Sequence, residues 1–117
     1  MLTDRELEIL LVDLESELVE RKQALSDPDR IRQAICAYAN DLPGHQRPGV
    51  IFVGARDDGT CANLDITDDL LLRLAQMRDD GAIQPFPSLT VNRRVLHGCT
   101  LAVVEVQPSA APPVRYS

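Results

Sequence analysis

The stretch LESELVERK, residues 14–22, holds side chains able to do chemistry, among them Glu15 and Glu20, five positions apart, and Lys22 two beyond. Two carboxylates and an amine in one place could serve as acid and base. Spacing decides whether they meet. On a continuous α-helix, positions five apart lie roughly 140° around the axis, and on a strand they point to opposite faces. The two glutamates share a site only where the chain changes conformation between them.

The elements around this stretch must supply that change. TDRELEILL opens with a capping-box pattern, Thr3 accepting from the backbone while Glu6 reaches back. Leu7, Leu10, Leu11 and Leu14 follow at helical spacing, so a helix starts from about residue 4. Its end is open. The pattern either runs through Lys22 as one helix or breaks near residues 13–17 into a strand, LVERKQ, and the residues alone slightly favour the helix.

Farther along, Asp27 is a natural N-cap with Pro28 at the first helical position, and Ile31, Ala34, Ile35 and Tyr38 form one apolar stripe. Asn40 is expected as the C-cap before Pro43 and Gly44 stop the pattern. VIFVG is a short apolar run typical of a strand buried on both sides, and RDDGT signals a turn. A helix capped by Thr67 and ended by Gly81 turns Leu70, Leu71, Leu74 and Met77 inward. SLTVNRRVLHGCTLAVVEVQP alternates and breaks at His97–Gly98, which predicts a hairpin before an extended, proline-rich tail. The expectation is one α/β (α+β) domain with a single mixed β-sheet and about three helices.

Composition narrows the function. The 117 residues contain no run of eighteen apolar positions, so no membrane span is expected. A net charge of −6 opposes nucleic-acid binding unless a local basic patch, divalent ions or a basic partner supplies positive charge. Aromatic residues make up only 3% of the chain, which argues against a base-stacking platform. Cys36, Cys61 and Cys99 are odd in number and widely spaced, so the expectation is a reduced, cytoplasmic protein with its cysteines in the core. His45 and His97 have no metal-ligand partner at fixed spacing. Gly54 and Gly59 stand five apart without the lysine of a phosphate loop, so ATP binding gets no local support.

The order of four segments carries a resemblance. Glu15-Ser16, then Glu20 and Lys22; a helix ending AYAN; VIFVGARDDGT; and VEVQPSAAPP together resemble the Schlafen AlbA-type domain over roughly residues 14–116. The resemblance implies an N-terminal helix over residues 1–13, followed by the domain proper over 14–117, excised from a longer chain. It also implies that the segment holding Glu20 is a strand. In RNA-cleaving members three carboxylates act with divalent metal. The matching positions here are Glu15, Glu20 and Asp57, with Asp58 as the alternative to Asp57, and Mg²⁺ or Mn²⁺ as the implied ion. Lys22 matches the motif lysine. Where relatives usually carry a Gly-Gly pair, this chain keeps Asn40 but inserts DLPGHQRP.

Lys22, Arg47, Arg56 and Arg94 are the candidate nucleic-acid contacts, with His45 nearby on a loop and Arg93 on the opposite face of its strand from Arg94. The resulting expectation is a nucleic-acid-binding module, for DNA or RNA, within a bacterial-type regulator. Two rivals stand beside it. One is a metal-dependent endoribonuclease using the three carboxylates. The other is a protein-interaction or dimerisation domain, such as a homodimer, which the acidic pI favours.

Overall fold

The computed structural model describes the chain apart from residues 42, 111, 112 and 117. Thr3 caps α1 (Asp4–Leu11) and closes the expected capping box with Glu6. The helix stops at Leu11 and does not run on to Lys22. Arg21 supplies the physical reason. Its guanidinium donates to the carbonyl oxygens of Leu11 at 2.7 Å, Leu10 at 3.2 Å and Asp13 at 2.8 Å. A helix leaves its last carbonyls unpaired, and a cation at that end also suits the helix dipole. The chain then turns into β1 (Val19–Lys22), the strand implied by the resemblance.

Asp27 and Pro28 open α2 (Pro28–Asn40), which buries Ile31, Ile35 and Ala39. Its C-cap is Asp41, in the left-handed conformation, and not Asn40 as the sequence suggested. Asn40 is drawn away because its side-chain amide grips the tail, donating to the Val114 carbonyl at 2.9 Å and accepting from the Val114 amide at 2.5 Å. The chain returns in β2 (Gly49–Val53), parallel to β1, with Val19 opposite Val50 and Lys22 opposite Val53. Thus β1, α2 and β2 form a parallel crossover unit. Gly49 is required where β2 begins: a Cβ there would lie 2.1 Å from Cγ of Tyr38.

After α3 (Asp68–Asp79), capped by Thr67, come β3 (Ile83–Gln84), β4 (Leu89–Leu96), β5 (Cys99–Val106) and β6 (Arg115–Tyr116). The β4–β5 hairpin turns at His97 and Gly98, with φ of 48° and 73°, the positive pair that a two-residue hairpin turn needs. One mixed sheet runs β1-β2-β5-β4, and β3 pairs with β6 in a small second sheet. Helices cover both faces of the larger sheet, so all five residues of β2 are buried. On one face Leu7 and Leu11 of α1 pack with Val50, Phe52, Leu101 and Val103. On the other, Ile31, Ile35, Leu70 and Leu74 pack with Ile51, Val53 and Val104. The described residues form a single α/β domain with three helices. Among the described residues, no helix is long and apolar enough to cross a membrane.

The cysteine expectation is corrected. Cys61 and Cys99 are joined in a disulfide with their Cα atoms 5.6 Å apart, and only Cys36 is free. The pairing is a product of the sheet. An isolated bridge between Ala55 and Cys61 folds the chain back after β2, and β5 lies beside β2. A separation of 38 residues hides that adjacency in the sequence. Burial pushes the Cys36 thiol up, and its Sγ donates to the Val114 carbonyl.

Candidate nucleic-acid interface

Strand alternation sorts the residues of β1 onto two faces. Val19 and Arg21 turn toward α1, where Val19 joins the Leu7 cluster and Arg21 closes the helix end. Glu20 and Lys22 turn toward α2. There, with Arg30, Gln33 and Ala34, they line a depression of about 240 Å³. Lys22 Nζ lies 3.1 Å from Glu20 Oε1, and Arg30 lies 3.3 Å from Asp27. Tyr38 lies close by. Burial, with the neighbouring Glu20 charge in support, pushes its phenol far above the usual range, so its hydroxyl keeps its proton.

The carboxyl end of β2 turns beside Lys22, whose carbonyl accepts from the amides of Gly54 and Ala55. The turn that follows brings Arg56, Asp57 and Asp58 to the same end of the parallel pair. Arg56 donates to the Cys61 carbonyl at 2.5 Å. Asp58 accepts from the hydroxyl and amide of Thr60, and these bonds hold its carboxyl below the usual range. Asp57 is exposed. Gly59, at φ +87°, seats the turn against the end of α1, where a Cβ would lie 2.6 Å from the Leu11 carbonyl oxygen.

The other expected residues lie elsewhere. Glu15 is exposed in the turn after α1, its amide donating to Asp13, and it lines a different depression with Glu17, His45 and Arg47. Arg94 crosses to α1, pairs with Asp4 and also reaches the Leu2 carbonyl at 3.5 Å. Arg93 is held by the Ile66 carbonyl and Asp68. Among the described residues no three His, Cys, Asp or Glu side chains gather into a set able to hold a metal ion. Glu20 lines the depression beside α2 and pairs with Lys22, Glu15 lines another depression, and Asp57 is exposed in the turn after β2.

Sequence reading missed Arg30 and Gln33, which α2 sets beside Glu20 and Lys22. The signal was present in the order strand–helix–strand, since a parallel crossover places the helix against the first strand.

Comparison with known proteins gives two matches. The profile of the Schlafen, AlbA_2 family matches residues 15–117. Among solved structures, the chain is similar to the NMR structure of the N-terminal domain of an ATP-dependent DNA helicase RecG-related protein from Nitrosomonas europaea. The identity is 24% and the TM-score 0.62, over 95% of this chain and 76% of the other. No curated protein matches the chain.

Proposed function

The chain belongs to the Schlafen AlbA_2 family, and from that premise we propose that it is a nucleic-acid-binding module. It holds a sugar–phosphate strand at the carboxyl ends of β1 and β2, through Lys22, Arg30 and Arg56. The observation that carries the reading is the depression lined by Lys22, Arg30 and Gln33, with the turn of Arg56 at the same end of the parallel strands. In open α/β sheets ligands favour the crevice outside the carboxyl ends of parallel strands. Lys22 and Arg30 offer charge, and Gln33 a neutral donor, to phosphate oxygens. Glu20 holds Lys22 in place, and an arriving phosphate competes for that ammonium. The structural relative, by its description, is part of a DNA helicase-related protein, which is in keeping with this role.

Two of the four expected cations enter this reading and two do not. Arg47 belongs to another surface, and Arg94 is engaged with Asp4. The net charge of −6 sets the binding regime: long-range attraction is weak, so affinity rests on short-range contacts.

A short labelled single-stranded RNA, its DNA counterpart and a duplex, titrated by fluorescence anisotropy at several salt concentrations, test the proposal. Affinity is expected at low salt, with log K falling against log salt at a slope of about −2 to −3 for three phosphate contacts. Absence of binding to all three probes at low salt overturns it. So does binding that survives the double substitution Lys22→Ala, Arg56→Ala unchanged.

A further inference from the structure

A second surface shares no lining residue with the depression at Lys22. Beside α1 lies a groove of about 480 Å³ floored by Leu2, Ile9, Leu10, Leu18 and Pro48. Leu18 also lines an adjoining hollow of about 200 Å³ floored by Ala37, Tyr38 and Pro43. The apolar floor is thus continuous across Leu18. Ile9, 57% exposed, extends the water-facing apolar surface of the groove. Large apolar side chains left together in water mark interaction sites.

The rim is charged with one dominant sign. Glu6, Asp13, Glu15, Glu17 and Asp41 surround the two hollows and the shallow depression between them, against Arg47 as the single Arg or Lys. His45 stands 3.2 Å from Glu17. That ring excludes several occupants. Phosphates of a nucleic acid or an anionic lipid surface meet five carboxylates, and a second copy of this face brings five more.

We propose that this groove docks a basic amphipathic segment of a partner protein. The segment seats apolar side chains in the hollows on either side of Leu18 and sets lysines or arginines against Glu6, Asp13, Glu15, Glu17 and Asp41. The mode is that of an amphipathic helix laid in an apolar groove. The inference is independent of the nucleic-acid reading, since the groove shares no lining residue with the depression at Lys22 and carries the opposite charge.

The test uses the full chain, isotopically labelled for NMR, and a synthetic amphipathic helix of leucine and lysine, with a leucine–glutamate helix as its mirror in charge. Expected are amide shifts confined to residues 2–18, 37–41 and 43–48 with the leucine–lysine helix and none with its acidic counterpart. Ile9→Ser is exposed enough to leave the fold intact, and combined with Glu17→Gln it lowers affinity about tenfold or more. Asp68→Asn with Asp69→Asn, acids on α3, leaves affinity unchanged. Shifts scattered over the acidic surface, or a loss of affinity equal in the α3 variant, overturn the proposal as non-specific charge attraction. Concentration-dependent dimerisation abolished by Ile9→Ser overturns it in favour of a second copy.

Discussion

The Arg21 guanidinium lies across the end of α1, with Nε donating to the Leu11 carbonyl oxygen at 2.7 Å. A residue of the strand thereby terminates the helix that precedes it. Arg21→Ala removes three hydrogen bonds from a charged donor, while the Leu10 carbonyl keeps the Asp13 amide. A loss of about 2–3 kcal/mol is expected, measured as a lower urea midpoint at unchanged m. Lysine at this position presents one compact ammonium in place of a planar fork, so Arg21→Lys recovers only part of the loss. A variant as stable as the parent removes the account given for the helix–strand break.

The Cys61–Cys99 bond closes a loop of 38 residues. Loop-closure entropy then assigns it about 3–4 kcal/mol of stability, acting through the unfolded chain. Urea unfolding with and without reductant should separate by that order, and Cys61→Ser with Cys99→Ser should reproduce the reduced curve without added reductant. Coincident curves for the oxidised and reduced protein count against any such constraint.

How much of this was legible in the sequence follows from the range of the interactions. Local signals held: the Thr3–Glu6 box, the Asp27–Pro28 helix start, the apolar run of β2 and the His97–Gly98 hairpin are set by neighbours a few residues apart. Signals that need the sheet were missed. Arg21 caps a helix across a turn, Cys61 meets Cys99 through strand order, and Asn40 grips Val114 from 74 residues away. The candidate site divided in the same way. Lys22 and Glu20 sit on one face because strand period alone places them there, whereas Glu15 and Asp57 depend on turns whose paths no periodicity encodes.

Acid should weaken the α2–α3 contact. The Asp80 carboxyl lies below the usual carboxylate range because the Ala82 amide and then Arg32, at 2.7 Å, donate to it. A carboxylate depressed in the folded state contributes stability that is fully present above its unfolded value, near pH 4, and is lost as pH falls through the lower folded value. Urea midpoints followed from neutral pH down to about pH 2 should therefore fall less steeply in Asp80→Asn than in the parent. Equal acid limbs in the two proteins would show that Asp80 binds its proton alike in both states.

The cations of this protein differ in what they already hold, and that difference predicts opposite phenotypes for Lys22 and Arg94. Arg94 and Lys22 are equally exposed, at 21% each, but Arg94 joins β4 to the start of α1 through Asp4 and the Leu2 carbonyl. Arg94→Ala should cost about 1 kcal/mol of stability and leave nucleic-acid affinity alone, because its donors are spent inside the fold. Lys22 is held by Glu20 at the strand surface, where a partly exposed pair contributes little to folding. Lys22→Ala should barely move the unfolding midpoint yet lower affinity for a labelled strand and flatten the salt slope by about one. Paired stability and anisotropy measurements on the two variants decide the matter. If Arg94→Ala weakens binding while Lys22→Ala does not, the interface lies on the α1 side of the sheet and the assignment to the ends of β1 and β2 fails.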